Sequence, residues 1–100
     1  MQITQSIDRT PFYYEKLTIT SLAVVRLNET YRNDSKAVFI TIEDNTIRYR
    51  IDEGDPDAND GHLVYASQSL YFADPHSVQE LRMIALVAQA DAIAIVTFLK

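Results

Sequence analysis

The residue types best suited to chemistry are concentrated in one acidic loop, residues 52–61, with the sequence DEGDPDANDG. Both glycines of the chain, Gly54 and Gly61, fall in this loop, together with Pro56. Glycine adopts a positive φ at little cost and proline holds its own φ near −65°. The composition therefore predicts a shaped loop with at least two tight bends.

The carboxylates of this loop are of the kind that bind Ca²⁺. An EF-hand starting at Asp55 would use Asp55, Asp57 and Asn59 as its first ligands, but it also requires glycine at position 6 and glutamate at position 12. Those positions hold Asp60 and Ala66, so the EF-hand pattern fails. Two alternatives remain: a calcium loop of another type through Asp55, Asp57 and Asp60, or a solvated acidic loop without metal. We adopt the second and predict no cofactor.

Two histidines, His62 and His76, are the only side chains that ordinarily titrate near neutral pH. Ser67, Ser69 and Ser77 lie near them in sequence, but the chain has no nucleophile elbow, glycine-rich phosphate loop or His-x-x-x-His pair. We expect His62 to start a strand and His76 to lie in a turn. The sequence therefore predicts no catalytic residues and a protein that is not an enzyme.

The negative charge of the chain is local. Residues 43–60 contain seven acids and two bases, an excess of five that equals the net charge of −5. Nucleic-acid binding draws on clustered Lys and Arg. The sequence shows no such cluster, so direct binding to nucleic acid is disfavoured.

One domain is the expectation for 100 residues. The chain has no cysteine, so neither a disulfide nor a zinc–thiolate site can form. Its start lacks the apolar stretch of a secretory signal, which makes the cytoplasm the expected place of synthesis. The most apolar stretch, residues 83–99, holds Asp91 near its centre, so we do not expect it to enter a membrane.

Strand-forming residues recur in short segments separated by Asn, Asp, Gly or Pro, a spacing typical of antiparallel sandwiches. The predicted strands are residues 13–20, 22–27, 36–43, 46–51, 62–65, 69–72, 82–88 and 92–99. The fold class is therefore all-β, an antiparallel β-sandwich of jelly-roll or immunoglobulin-like type. We expect it to span residues 13–100, preceded by an arm or edge strand at residues 1–12.

Alternation within the segments predicts which side chains face inward. In residues 36–43, Val38, Ile40 and Ile42 share one face, and Phe39 lies on the other. Residues 43–45 are predicted to join two of these strands as a hairpin, with Asn45 at positive φ. A second hairpin is predicted between residues 82–88 and 92–99.

Residues 77–88 fit two patterns. Ser77 and Glu80 match a capping box, and apolar residues at helical spacing extend the pattern to Ala88. The same residues also alternate as a strand, with Met83 and Ala85 on one face. A single helical turn at residues 77–81, followed by a strand, satisfies both patterns.

A triplet of aromatic residues follows Pro11. Alternation places Phe12 and Tyr14 on one face and Tyr13 on the other, so at least one ring is expected to be exposed. Tyrosine is enriched at protein interfaces because it combines apolar area with a polar tip. With Ile3 and Ile7 of the arm, these three aromatics are the predicted partner-binding residues.

A resemblance to a known family rests on the C-terminal half. The residues that carry it are Ile47-Arg48-Tyr49-Arg50, then Asp52, Gly54, Pro56, Gly61 and Leu63, and finally Ile93 to Phe98. This pattern over residues 46–99 resembles small β-rich virion proteins of tailed bacteriophages. Glu53, between Asp52 and Gly54, departs from the pattern.

The resemblance implies a structural protein of the virion, made in the host cytoplasm and most similar to a head decoration or cement protein. Its implied partner is the major capsid protein or another virion protein, and it would act as a homo-oligomer, a dimer or trimer. The alternative is a carbohydrate-binding or receptor-binding module of a phage tail or fibre.

Overall fold

The computed structural model describes residues 9–86 and 90–100, which form eight strands and two short helices. In chain order the elements are β1 (Pro11–Ile19), β2 (Val25–Arg26), α1 (Glu29–Asp34), β3 (Ala37–Glu43), β4 (Ile47–Arg50), β5 (His62–Val64), β6 (Ser69–Phe72), α2 (Pro75–Glu80), β7 (Arg82–Ala85) and β8 (Ala92–Leu99). The predicted strands are confirmed at these positions, most with ends trimmed by a few residues.

The strands form two four-stranded antiparallel sheets, ordered β1-β8-β3-β6 and β2-β7-β4-β5. Four of the strand pairs are those of one long antiparallel ribbon: β1 with β8, β2 with β7, β3 with β6 and β4 with β5. The pairs β3 with β8 and β4 with β7 roll this ribbon into two layers. This is the strand order of a jelly roll, so the predicted β-sandwich is confirmed and the immunoglobulin-like alternative is wrong.

Both predicted hairpins are wrong, because consecutive strands usually change sheet. β3 and β4 lie in different sheets, as do β7 and β8. Asn45, between β3 and β4, has the predicted positive φ of 63°, and its side-chain nitrogen donates to the carbonyl of Asp91 at 3.1 Å. In the described chain the β4–β5 pair, joined by residues 51–61, forms the only hairpin between consecutive strands.

The core lies between the sheets and follows the period of two. In β3, Val38, Ile40 and Ile42 are fully buried as predicted, and they oppose Phe98, Val96 and Ala94 of β8. The second sheet contributes Ile47, Val64, Met83 and Ala85 to the same cluster. Burial at every second residue of paired strands is the main source of stability in such a sandwich.

The helices were less well predicted than the strands. α1 was not expected; Asn28 caps it by accepting a hydrogen bond from the backbone nitrogen of Tyr31 at 3.2 Å. α2 begins before the predicted turn, because its cap is Asp74, not Ser77. Asp74 accepts from the backbone nitrogens of His76 and Ser77. The capping box at Ser77 and the long helix over residues 77–88 are therefore both wrong, and the predicted turn followed by a strand is confirmed.

Candidate functional site

The start of β1 carries a bulge that reorients the aromatic triplet. Pro11 is opposite Leu99 and Tyr13 is opposite Phe98, so Phe12 is the extra residue. A bulge adds a residue to one strand and interrupts the alternation of faces. The rings of Phe12 and Tyr13 both lie within 6.5 Å of the Phe98 ring. The predicted arrangement, with Phe12 and Tyr14 together and Tyr13 opposite, is therefore wrong.

Tyr31 of α1 completes an aromatic cluster with these residues. Its ring stacks on that of Tyr13 with centroids 3.5 Å apart and planes 7° apart, and it meets the rings of Phe12 and Phe98 at 6.4 and 6.0 Å. The neighbouring Tyr31 side chain raises the pKa of Tyr13, first through hydrogen bonding and then through charge. The ammonium group of Lys100 lies 4.7 Å from the Phe12 ring centroid, a cation–π contact. The cluster fixes the rings at the start of β1.

A shallow groove of about 470 Å³ opens at this place, lined by Pro11, Phe12, Tyr13, Tyr14 and Thr97. We call it the β1 groove. The structure thus brings the predicted residues Phe12, Tyr13 and Tyr14 together in one surface feature. Ile3 and Ile7, the other two predicted partner-binding residues, lie outside the described residues.

The β1 groove continues into a row of aromatic side chains across the outer face of the first sheet. The strand registers align Tyr14, Thr97, Phe39 and Tyr71 across β1, β8, β3 and β6. Tyr14 is 58 % exposed, Phe39 36 % and Tyr71 42 %. We call these three residues the aromatic row. Three large rings on one solvent-facing sheet surface form the kind of apolar patch that marks an interaction site.

Sequence reasoning missed Phe39 and Tyr71. The alternation of residues 36–43 already placed Phe39 on the face opposite the core residues. Its alignment with Tyr14 and Tyr71 depends on the strand order, which joins β1, β8, β3 and β6 from distant parts of the chain. The sequence pattern thus indicates which side chains of each strand face the core, but it does not indicate which strands pair.

β1 is also the longest strand, with nine residues, and it lies at the edge of its sheet. Within residues 9–86 and 90–100, no strand pairs with its outer side. Such an edge presents unpaired backbone donors and acceptors that another strand can use. The edge and the β1 groove lie side by side.

The acidic loop of residues 52–61 packs against arginines of the second sheet. Arg50 donates to both carboxylate oxygens of Asp52, at 2.9 and 2.8 Å. Arg48 donates to the carbonyls of Ala58 and Gly61, at 3.1 and 2.8 Å. The hydrogen bonds from Arg50 lower the pKa of Asp52 to about 2. The loop is thus held in place by arginines, while the carboxylates of Asp52 and Asp55 stay largely exposed.

The two loop glycines serve different purposes. Gly61 has a φ of +127°, and an added Cβ would meet a carbon of Pro56 and the carbonyl of Tyr49, each at 3.1 Å. Near Gly54 the positive φ belongs to Glu53, at 70°. At Gly54 an added Cβ would collide with the Arg50 guanidinium.

The structure separates the three carboxylates considered for calcium. Asp55 accepts from Arg82 at 3.2 Å, whereas Asp57 accepts from the backbone nitrogen of Asn59 at 2.8 Å. The backbones of Asp57 and Asp60 bond to each other across a tight turn. In the described part of the chain, no three acidic or histidine side chains converge as a metal site would require.

The histidines occupy separate places. His62 starts β5 as predicted, with its ring 5.1 Å from that of Tyr49, and it borders an open cleft of about 450 Å³ beside the acidic loop. His76, expected in a turn, lies in α2, and its ring nitrogen is 3.8 Å from Glu53. Ser77 donates its hydroxyl hydrogen to Asp74, not to a histidine.

Comparison with known proteins adds no relative to this description. No family model matches the chain, and no curated protein or solved structure is significantly similar to it. Both helices found in residues 9–86 and 90–100 fall short of the length and hydrophobicity of a membrane span.

Proposed function

We propose that this protein is a non-enzymatic structural protein of a tailed-bacteriophage virion, which decorates the head by binding the major capsid protein or another virion protein. The resemblance of residues 46–99 to small virion proteins is the reason for naming the phage head. The jelly-roll fold is found in viral capsid proteins and lectins, which is an analogy of fold alone.

The observation that carries the proposal is the aromatic row together with the β1 groove. Tyr14 belongs to both, and the row extends across all four strands of the first sheet. Rings that are held by a sheet lose little side-chain freedom on binding, and their burial removes large apolar areas from water. Such a surface favours binding to another protein, with many copies on one particle adding avidity.

The free edge of β1 supports a homo-oligomer, a dimer or a trimer. If β1 strands of two copies pair, the unpaired backbone groups of the edge gain partners. The chain has no cysteine, so a K16C variant places one reactive thiol in β1. A short bismaleimide should cross-link K16C but not S69C, whose thiol lies in β6 at the opposite edge of the sheet. A monomeric mass in solution and no K16C cross-link would refute this arrangement.

Binding to phage heads tests the proposal itself. Heads that lack this protein are mixed with the purified chain and sedimented, and the bound fraction is measured. The wild type and Y65A should bind alike, because Tyr65 is 56 % exposed but lies outside the aromatic row. The double variant Y14A/Y71A should lose binding at least tenfold. Equal binding by all three proteins, or no binding by the wild type, would contradict the proposal.

The alternative, a carbohydrate-binding or receptor-binding module of a tail or fibre, has one observation in its favour. The cleft of about 450 Å³ between Arg50, Asp60 and His62 combines charged groups with an adjoining aromatic ring. A few polar groups in a concave site are what a small ligand requires. Binding on a glycan array would favour this alternative, and loss of that binding in EDTA would show that calcium takes part.

A further inference from the structure

The outer face of the second sheet carries a row of arginines. The strand registers place Arg26 of β2 opposite Arg82 of β7, and Arg82 opposite Arg50 of β4. We call these three residues the arginine row. Their neighbours along β7 and β4, Met83 and Tyr49, point to the core side, so the arginines lie on the solvent side.

Two members of the arginine row are already occupied by an acidic segment of the same chain. Arg50 holds the carboxylate of Asp52 at 2.8 Å. Arg82 donates to the carbonyl of Glu53 at 2.7 Å and to the carboxylate of Asp55 at 3.2 Å. It also donates to the carboxylate of Glu80, at 3.4 Å. Residues 52–55 therefore offer this surface carboxylates and backbone carbonyls together.

At the other end of the row, the described residues form no direct ion pair with an arginine. Arg26 donates to the backbone carbonyl of Gln79, and Arg32 of α1 donates to the side-chain oxygen of the same residue at 3.2 Å. Within residues 9–86 and 90–100, neither arginine has a carboxylate within 4.0 Å. Burial, and then the charge of Arg26, lower the pKa of Arg32. The charges of Glu29 and Glu80 act on the Arg32 pKa in the opposite direction. Arg26 and Arg32 therefore lie close together near these acids, and the described residues place no carboxylate in direct contact with either.

We propose that Arg26 and Arg32 bind carboxylates of an acidic protein segment. This segment extends, along the arginine row, the interaction that residues 52–55 already make with Arg50 and Arg82. The internal segment and the partner then compete for Arg82 and Arg50. A peptide supplies the mixture of carboxylates and backbone carbonyls that residues 52–55 present to Arg50 and Arg82. This surface is on the sheet opposite the aromatic row, so the proposal stands or falls separately from the proposed function.

Titration of the ¹⁵N-labelled protein with a hexaglutamate peptide at low ionic strength tests the inference. The side-chain Nε–H signals of Arg26 and Arg32 should shift and saturate. The R26Q variant should bind about fivefold more weakly, since one exposed ion pair is worth about that factor. R9Q is the matched control: it removes the same charge from Arg9, which donates to the carbonyl of Ala73, and should leave binding unchanged.

Two further variants keep the test decisive. D52N/D55N removes the carboxylate charge of Asp52 from Arg50 and that of Asp55 from Arg82, which keeps Glu80. This variant should bind the peptide severalfold more tightly than the wild type. R26K retains the charge without the planar fork and should bind between the wild type and R26Q. The inference is overturned if the Arg26 and Arg32 signals do not shift, or if R9Q weakens binding as much as R26Q. Tighter binding of inorganic phosphate, or of an oligonucleotide with six phosphates, would also overturn the peptide assignment.

Discussion

Replacement of Tyr31 by alanine should loosen the start of β1 without changing any residue that lines the β1 groove. Tyr31 contacts three rings, those of Tyr13, Phe12 and Phe98. Replacing a fully buried aromatic residue by alanine costs about 3–5 kcal/mol. Tyr31 is half-buried, so we expect a loss of about 2 kcal/mol in the free energy of unfolding, below the total of about 5–15 kcal/mol for a domain.

Urea denaturation followed by circular dichroism measures this change. With a slope of about 1–1.5 kcal/mol per molar urea, the midpoint of Y31A should fall by about 1.5 M. Y65A is the matched control, because Tyr65 is 56 % exposed and should cost less than about 0.5 kcal/mol. At temperatures where Y31A stays folded, its binding to heads should still fall, because Tyr13 loses its stacking partner. Equal midpoints for Y31A and Y65A would refute the reasoning.

Three further predictions concern the acidic loop and α2. G61A should lose about 2–3 kcal/mol of stability, because alanine strains the positive φ and crowds Pro56. G54A should lose less than about 1 kcal/mol, because the Arg50 side chain can move away. Equal losses in urea denaturation would contradict this expectation. The pKa of the Asp52 carboxyl, followed by NMR, should lie near 2 and should return toward 3.8 in R50Q. Because the pKa is lowered in the folded state, the contribution of Asp52 to stability is present above the ordinary carboxyl pKa and is lost as the pH falls toward 2. D74A should cost about 1 kcal/mol of stability through loss of the α2 cap, and a change below 0.3 kcal/mol in thermal unfolding would show that the cap matters little.

The positions of the strands and their inward faces could be predicted from the sequence. Val38, Ile40 and Ile42 are buried as their alternation indicates, and Met83 and Ala85 of β7 likewise. Alternation depends on the pleat of the strand, so it holds whichever strands are neighbours and fails where a bulge interrupts the pleat, as at Phe12 of β1.

The partners of the strands could not be predicted in this way. The pattern around Asn45 predicts a hairpin, but in the jelly roll this short turn with positive φ carries the chain from one sheet to the other. The period of two assigns a residue to the core or to solvent, and a core position in either sheet satisfies it equally. The aromatic row and the arginine row both depend on strand order, so both appeared only in the structure.

The electrostatics of the loop show the same limit. The sequence places seven acids near two arginines, which suggested a solvated acidic surface. Arg82, about thirty residues further along the chain, is brought beside Asp55 only by the pairing of β7 with β4. The contact between Arg82 and Asp55 cannot be predicted from the positions of charges along the sequence.

The central claim, that the aromatic face of the β1-β8-β3-β6 sheet attaches this protein to a phage head, is tested most directly by electron cryomicroscopy. Heads lacking the protein are imaged before and after addition of the purified chain at saturation. We predict ordered extra density with this sheet against the capsid shell and Tyr14 at the contact. Undecorated heads, or copies attached through the arginine row instead, would contradict the claim.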